Sequence, residues 1–283
     1  MRIRPYQPSD RNGVERLYRN AHFRHVHLDW RGALGWFNHS PFLVAEETNH
    51  WGINQLIGVF ACPADVPDSS WWRLVLIRHR DDTPLVNLFW REAQKMLVAQ
   101  NIRRVAILTS EPWLNTIANQ NGFAQSHQVV SLIRRKNTVP DMPKLPDGVR
   151  IRAARSDDLA QIAHVDEIAF ATPWIMSMEM LRLGMKGESY ATILEHQGVV
   201  IGYQLTNLWD FGAHLSRLAV APGWQGRGLG RALTIDMFRY WTSRGIYTFG
   251  VNTQSDNDSS LALYRALDFR YTGENLPVWQ IRI

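Results

Sequence analysis

The chain has 283 residues and a single cysteine, Cys62. One thiol allows neither an internal disulfide nor a thiolate metal cluster, which excludes disulfide-stapled and zinc-thiolate folds. Cys62 is expected as a small buried hydrophobe. Long apolar runs are also lacking. Nothing approaches the roughly 18 apolar residues of a membrane span, and the opening Met1-Arg2-Ile3-Arg4-Pro5-Tyr6-Gln7-Pro8 has no signal-peptide core. A cytoplasmic protein without membrane contact is the expectation. Strong charge of one sign is missing as well: 31 Lys+Arg against 26 Asp+Glu leave +5. That is too little to argue for nucleic acid, and none is expected as a partner. The basic excess sits in the first half, so an anion site in the second half must be built locally. A hydrophobic share of 45% with 20% charged residues is ordinary globular composition.

The length suggests two domains, and a proline run places the division. Pro140, Pro143 and Pro146 fall every third residue, which favours extended geometry and blocks helix. Residues 137–148 are therefore read as a linker between domains at 1–136 and 149–283. The two sides repeat each other. Arg2-Ile3-Arg4 matches Arg150-Ile151-Arg152, and Ser9-Asp10 matches Ser156-Asp157, each a natural helix cap. Ile57-Gly58 matches Ile201-Gly202, Arg73-Leu74-Val75-Leu76 matches Arg217-Leu218-Ala219-Val220, and Phe123 matches Phe269. The near-constant offset implies a tandem repeat. In the second copy, periodicity predicts helices over 156–170, 176–186, 228–244 and 258–267. Strands are predicted over 190–195, 199–208, 214–221, 246–252 and 276–283, after a short opening one. Each copy is thus expected to be an α/β domain, a mixed sheet with helices on both faces.

The segment Leu218-Ala219-Val220-Ala221-Pro222-Gly223-Trp224-Gln225-Gly226-Arg227-Gly228-Leu229-Gly230-Arg231 runs from a buried strand through a glycine-rich loop into a helix. Glycines let backbone amides approach a ligand, and a helix N-terminus offers unpaired N–H groups. The combination suits a pyrophosphate. It is not a nucleotide-hydrolysing loop, because Arg231-Ala232 stands where Lys-Ser/Thr is needed, and Arg231 also occupies the third glycine of a dinucleotide fingerprint.

Val-x-Pro-x-x-Gln-Gly-Arg-Gly-Leu-Gly resembles the acetyl-CoA-binding motif of the GNAT N-acetyltransferase superfamily. The family's second landmark is present as Asn257-Asp258-Ser259-Ser260-Leu261-Ala262-Leu263-Tyr264-Arg265-Ala266-Leu267-Asp268-Phe269, with Asp268 in place of a glycine. The resemblance covers about 147–283 and implies two tandem GNAT-like domains. It implies transfer of acetyl from acetyl-CoA to a primary amine by direct attack, without metal or acyl-enzyme. The main chain of Leu218, Ala219 and Val220 would pair with the pantetheine arm. Gln225, Gly226, Arg227, Gly228, Leu229, Gly230 and Arg231 would hold the pyrophosphate, with Arg227 and Arg231 either adding charge or simply solvated. Asn257 would bond the cofactor arm. Tyr264 would protonate the leaving thiolate, or else be a packing aromatic. His214, four residues before Leu218 and read as sharing its strand face, is the candidate base, with Asp210 and Glu179 as alternatives. A non-catalytic acyl-CoA-binding regulatory module is the rival reading.

Phe170-Ala171-Thr172-Pro173-Trp174 is similar to a stretch in enzymes that acetylate protein N-termini. The acid those enzymes carry near the position of Asn252 is missing, which argues against a peptide acceptor. The first repeat lacks the loop: Asp81, Asp82, Pro84 and Val86 align with Gln225, Gly226, Gly228 and Gly230, and Ala118 aligns with Tyr264. It is read as a degenerate domain without a cofactor site. His22, His25 and His27 are read as solvated or packing residues, not metal ligands, and Trp71-Trp72 as core or inter-repeat residues. The tandem repeat, standing in for a dimer, is expected to make a monomer.

Overall fold

The computed structural model describes residues 1–48, 50–210 and 212–283. The chain divides into two compact units, one formed by 1–126 with 277–283 and the other by 127–276.

The first unit runs β1 (Arg2–Pro5), α1 (Arg11–Asn20), β2 (Phe23–Val26), β3 (Phe42–Thr48), β4 (Asn54–Ala61), β5 (Ala64–Val66), β6 (Ser69–Trp71), β7 (Leu74–Ile77), α2 (Leu85–Ala99), β8 (Arg104–Leu108) and α3 (Pro112–Gln120). Five strands pair in the order β1-β3-β4-β7-β2. Trp72, Phe60, Phe89, Trp90 and Phe123 fill one core, which also takes in the buried Cys62. Trp72 is thus a core residue.

The second unit begins with β9 (Ala124–Arg135) from residue 127 onward. It continues through β10 (Val149–Ala153), α4 (Leu159–Ala169), α5 (Met178–Gly184), β11 (Ser189–His196), β12 (Val199–Trp209), β13 (Gly212–Val220), α6 (Leu229–Thr242), β14 (Thr248–Gln254), α7 (Asp258–Ala266) and the first part of β15 (Arg270–Arg282). Its strand order is β10-β11-β12-β13-β14-β9-β15. Leu229, Leu233, Met237 and Trp241, spaced by four, are all buried and seat α6 on one face. Leu159, Ile162 and Val165 of α4 pack with Leu181 of α5 against Ile193, Tyr203 and Ala219 on the other.

This division does not coincide with the expected boundary at 137–148. Residues 127–135, which precede the proline run, pair with β14 of the second unit, with Leu132 opposite Val251. Residues 278–282 pair with β8 of the first unit, with Val278 opposite Leu108. Each unit thus takes a strand segment from the other side of the linker. The predicted terminal strand at 276–283 is also longer, because it begins at Arg270. The strand predicted at 246–252 spans Thr248–Gln254.

The duplication survives as a matched ion-pair triad. Arg4 binds Asp10 at 2.7 Å and Glu46 at 2.9 Å. Arg152 binds Asp158 at 2.7 Å and Glu195 at 2.6 Å. Asp10 and Asp158 also accept from the main-chain N–H of Gln7 and Arg155. In the second repeat this aspartate, and not the predicted Ser156-Asp157 pair, ties down the helix entry. Hydrogen bonds from Arg4 and Arg152 hold the carboxyls of Asp10 and Asp158 below their ordinary range.

Candidate active site

β13 carries the site, and two irregularities shape it. The first is where its pairing stops. β13 and β14 run parallel and pair at Ala213–Leu215 with Phe249–Val251. The ladder to β12 on the other side continues to Val220. Beyond Leu215 the strands part, leaving one main-chain edge of β13 open. Ala221 N–H donates to Ile201 O at 2.9 Å. By antiparallel alternation Ala219 and Arg217 therefore exchange bonds with β12, and Leu218 and Val220 point to the open side. Of the three strand residues expected to pair with a cofactor arm, Leu218 and Val220 turn their main chain to the open edge and Ala219 turns its own to β12. The Val220 carbonyl already accepts from the Gln225 side chain at 2.9 Å.

The second irregularity is a bulge. Leu205 pairs with Arg217 and Thr206 with Leu215, so Ser216 is an extra residue. A bulge reverses which face the next residues take. Ala213 and Leu215 pack with Met237 and Phe238 of α6. After the bulge Leu218 joins the α6 side, and Ala219 joins the α4 side. His214 and Leu218 therefore lie on opposite faces, which corrects the same-face expectation. His214 is on the α4 side, its ring against Trp209 at 5.7 Å and so close over Gly250 that a β-carbon there would sit 2.8 Å from Nδ1. Desolvation pushes its pKa down to about 4. Its alternatives Asp210 and Glu179 are both exposed, in the β12–β13 turn and on α5.

The glycine loop follows β13. Gly226 (φ +75°) and Gly228 (φ +76°) are left-handed, and a β-carbon on either would meet nothing within 4 Å, so open space lies before them. Gly230 has no such backbone demand; it lies against Leu263 and Leu218. The N–H of Gln225 bonds Pro222 O, and with its side chain on Val220 this residue ties the loop to the strand. The six amides from Gly226 to Arg231 find no acceptor among the described residues, and the first internal bond of α6 is Ala232 N–H to Gly228 O. Unpaired amides at the positive end of a helix make an anion cradle. Arg227 lies over the Trp224 ring at 5.0 Å, and Arg231 reaches Ala266 O at 3.4 Å.

α7 brings the remaining residues. Asn257 caps it, its Oδ1 accepting from Ser260 N–H at 3.1 Å, so that oxygen is committed to the helix. Tyr264 is buried against Phe269, in the same cluster as Leu215, Val251 and Leu218 beneath the parting strands. Its hydroxyl makes no hydrogen bond among the described residues. Burial raises its pKa above the ordinary tyrosine value, so it stays protonated. Asp268 takes the left-handed cap (φ +63°) in place of the family's glycine.

An interaction not anticipated from sequence lies behind the site. The guanidinium of Arg217 sits on the Phe170 ring at 3.7 Å and donates to Asp166 at 2.7 and 2.9 Å and to Trp174 O. Asp166 also accepts from Tyr203 and from Met176 N–H. This buried hub fixes the segment from Phe170 to Met176.

Among the described residues, the corresponding turn of repeat one lacks a continuous row of unpaired amides. A short turn, Arg80–Asp82, leads into α2, and the amides of Asp82, Thr83, Val86 and Asn87 donate to the carbonyls of His79, Arg80, Thr83 and Pro84. Pro84 has no amide to offer, and Ala118 is fully buried in the core. His22, His25 and His27 each have their own contacts: His25 meets Glu111 at 3.1 Å, His22 packs on Phe23 and His27 on Trp71.

The profile of the Acetyltransferase (GNAT) family matches residues 159–269. Over 120 residues the chain is 30% identical to the ribosomal protein bS18-alanine N-acetyltransferase of Escherichia coli, covering 42% of this chain and 79% of that enzyme. The chain belongs to the GNAT acetyltransferase family. It is also 27% identical over 192 residues to the mycothiol acetyltransferase of a Nocardioides species, covering 59% of this chain and 65% of that one, just under two thirds of its length. A tandem GNAT protein from the clavulanic acid biosynthesis pathway superimposes with a TM-score of 0.66 at 13% identity, covering 99% of this chain and 98% of that one. A GCN5-related N-acetyltransferase from Sphaerobacter thermophilus gives 0.62 at 13%, covering 99% and 95%. These likenesses show the tandem GNAT fold. No described helix is long and apolar enough to cross a membrane.

Proposed function

We propose that this acetyltransferase-family chain moves acetyl from acetyl-CoA to a primary amine, at one site in its second unit. The observation that carries the reading is the row of six unpaired amides, Gly226 to Arg231, beginning just beyond the open edge of β13. Acetyl-CoA combines a pyrophosphate, which such amides hold, with an amide-bearing arm that pairs with a free strand edge. Leu218 and Val220 supply that edge. Tyr264, protonated and without a bonding partner, gives its proton to the departing thiolate. His214 and Trp209 wall the opposite face, where the acceptor enters. The first unit, without a cradle, binds no cofactor.

The rival, an acyl-CoA-binding regulatory module, gives no reason for an unpaired tyrosine hydroxyl beneath the parting strands. Release of free CoA from acetyl-CoA, followed with a panel of primary amines in wild type and Tyr264→Phe, separates the two. The enzyme reading requires amine-dependent release that the substitution slows. Binding without any amine-dependent release supports the rival.

A further inference from the structure

No acidic residue lies between Arg244 and Gln254, yet the structure brings a carboxylate to the exposed face of β14 from another strand. Asn252 and Ser131 are register partners on β14 and β9, so their side chains share a face. Their neighbours Val251, Val130 and Leu132 pack on the α6 side. Asn252 and Ser131 therefore look out from the opposite face, the one that carries Gly250 and His214. Asn252 is exposed and is the first residue of β14 beyond the parting of the strands.

On the next strand Ser131 is bracketed by β15. Its Oγ donates to Glu274 Oε2 at 2.8 Å, and its carbonyl accepts from Thr272 Oγ1 at 3.2 Å. Thr272 Oγ1 accepts in turn from the N–H of Glu274. Gly273 between them is left-handed (φ +92°), the turn that allows this contact. β15 lies two strand spacings from β14, about 10 Å. The carboxylate leans back onto Ser131, the register partner of Asn252 on the adjoining strand about 5 Å away, a separation within reach of one bridging water.

We propose that Glu274 is the carboxylate that receives the acceptor ammonium and takes its proton through a water held at Asn252. The proposal rests on the acetyltransferase reading and deepens it. An amine arrives as a cation, and a fixed anion on the open face attracts it. His214, neutral and desolvated, offers no such attraction. The ammonium passes one proton through water to Glu274. The freed nitrogen lone pair bonds to the thioester carbonyl carbon, the C–S bond breaks, and the sulfur leaves with the electron pair and takes the Tyr264 proton. The second proton shed by the nitrogen restores Tyr264. Among the described residues, the ionisable groups on this face include His127, which faces Asp256 at 3.3 Å, Arg135 further along β9, His214 on β13, the Arg217–Asp166 pair beside it and Glu179 on α5.

The test compares wild type with Glu274→Gln, Glu274→Asp and Ser131→Ala. Acetyl-CoA affinity is measured by calorimetry. CoA release is measured from pH 6 to 10, with an alanine-initiated peptide and with water as the only nucleophile. Glu274→Gln is expected to keep acetyl-CoA affinity and to lose roughly 10- to 100-fold in release at pH 7. The deficit with the peptide should close as pH rises and the amine loses its own proton. Glu274→Asp should retain part of the rate, and Ser131→Ala should lose less than Glu274→Gln without changing the shape of the pH profile. A rate for Glu274→Gln equal to wild type with both nucleophiles overturns the role of Glu274 and leaves the acetyltransferase reading standing. Failure of the wild-type chain to bind acetyl-CoA overturns that reading and this one with it.

Discussion

Replacing Gly228 by valine perturbs the cradle at its most constrained point. The residue has φ +76°, and a β-carbon there meets nothing within 4 Å. The folded chain therefore suffers no clash, only the cost of a left-handed L-residue, about 1–2 kcal/mol. For a protein of this size that lowers Tm by a few degrees, at about 2–4 °C per kcal/mol. The effect on ligand is larger. Valine relieves its strain by leaving positive φ, which re-aims the amides of Gly228 and Leu229, and its branched side chain stands in the space before them. Losing two hydrogen bonds to a charged group, at about 1.5–3 kcal/mol each, amounts to about 3–6 kcal/mol. Converted at about 1.4 kcal/mol per tenfold, the acetyl-CoA Kd should rise by roughly 10²- to 10⁴-fold. Calorimetric titration beside a melting curve reads both effects. Gly223→Ala, at a residue with neither positive φ nor a close neighbour, is the control and should bind normally. An unchanged Kd for Gly228→Val in a folded protein would refute the placement of the site.

Two further outcomes follow from the same geometry. Tyr264→Phe keeps the ring against Phe269 and removes an unpaired hydroxyl; kcat should fall roughly 10- to 1,000-fold with acetyl-CoA affinity intact, and an undiminished kcat would make Tyr264 a packing residue. His214 has a folded pKa of about 4, below its unfolded value near 6.5. The unfolded chain therefore binds more protons in that window, and stability falls as pH drops from about 6.5 to 4 and is unaffected above it. The loss is on the order of 2–3 kcal/mol, so His214→Gln should flatten the Tm–pH curve across the window; an unaltered slope would contradict the burial argument.

Much of the second unit is legible in the sequence because its demands are local. Leu229, Leu233, Met237 and Trp241 declare a helix by spacing alone. Gly226 and Gly228 mark a loop whose backbone few other residues adopt. The exchange of β9 and β15 between units is not legible, because a strand's pattern shows that one face is buried and not which strand lies beside it. The face of His214 is hidden for a different reason. Counting by two along β13 is sound until Ser216, and nothing in Leu215-Ser216-Arg217 announces the extra residue. The cap that the Asn257 oxygen gives α7 is a local role, and the resemblance alone carries its part in binding the cofactor arm. Glu274 had no signal at all: its approach to Ser131 depends on a pairing between residues more than 140 positions apart.

The most direct test of the account is a crystal structure of the chain with CoA. One CoA per chain is expected, its pyrophosphate against the amides of Gly226–Arg231, its arm along Leu218 and Val220, and its sulfur beside the Tyr264 hydroxyl. CoA bound at residues 79–87 of the first unit, or lying away from the Gly226–Arg231 loop, would contradict it.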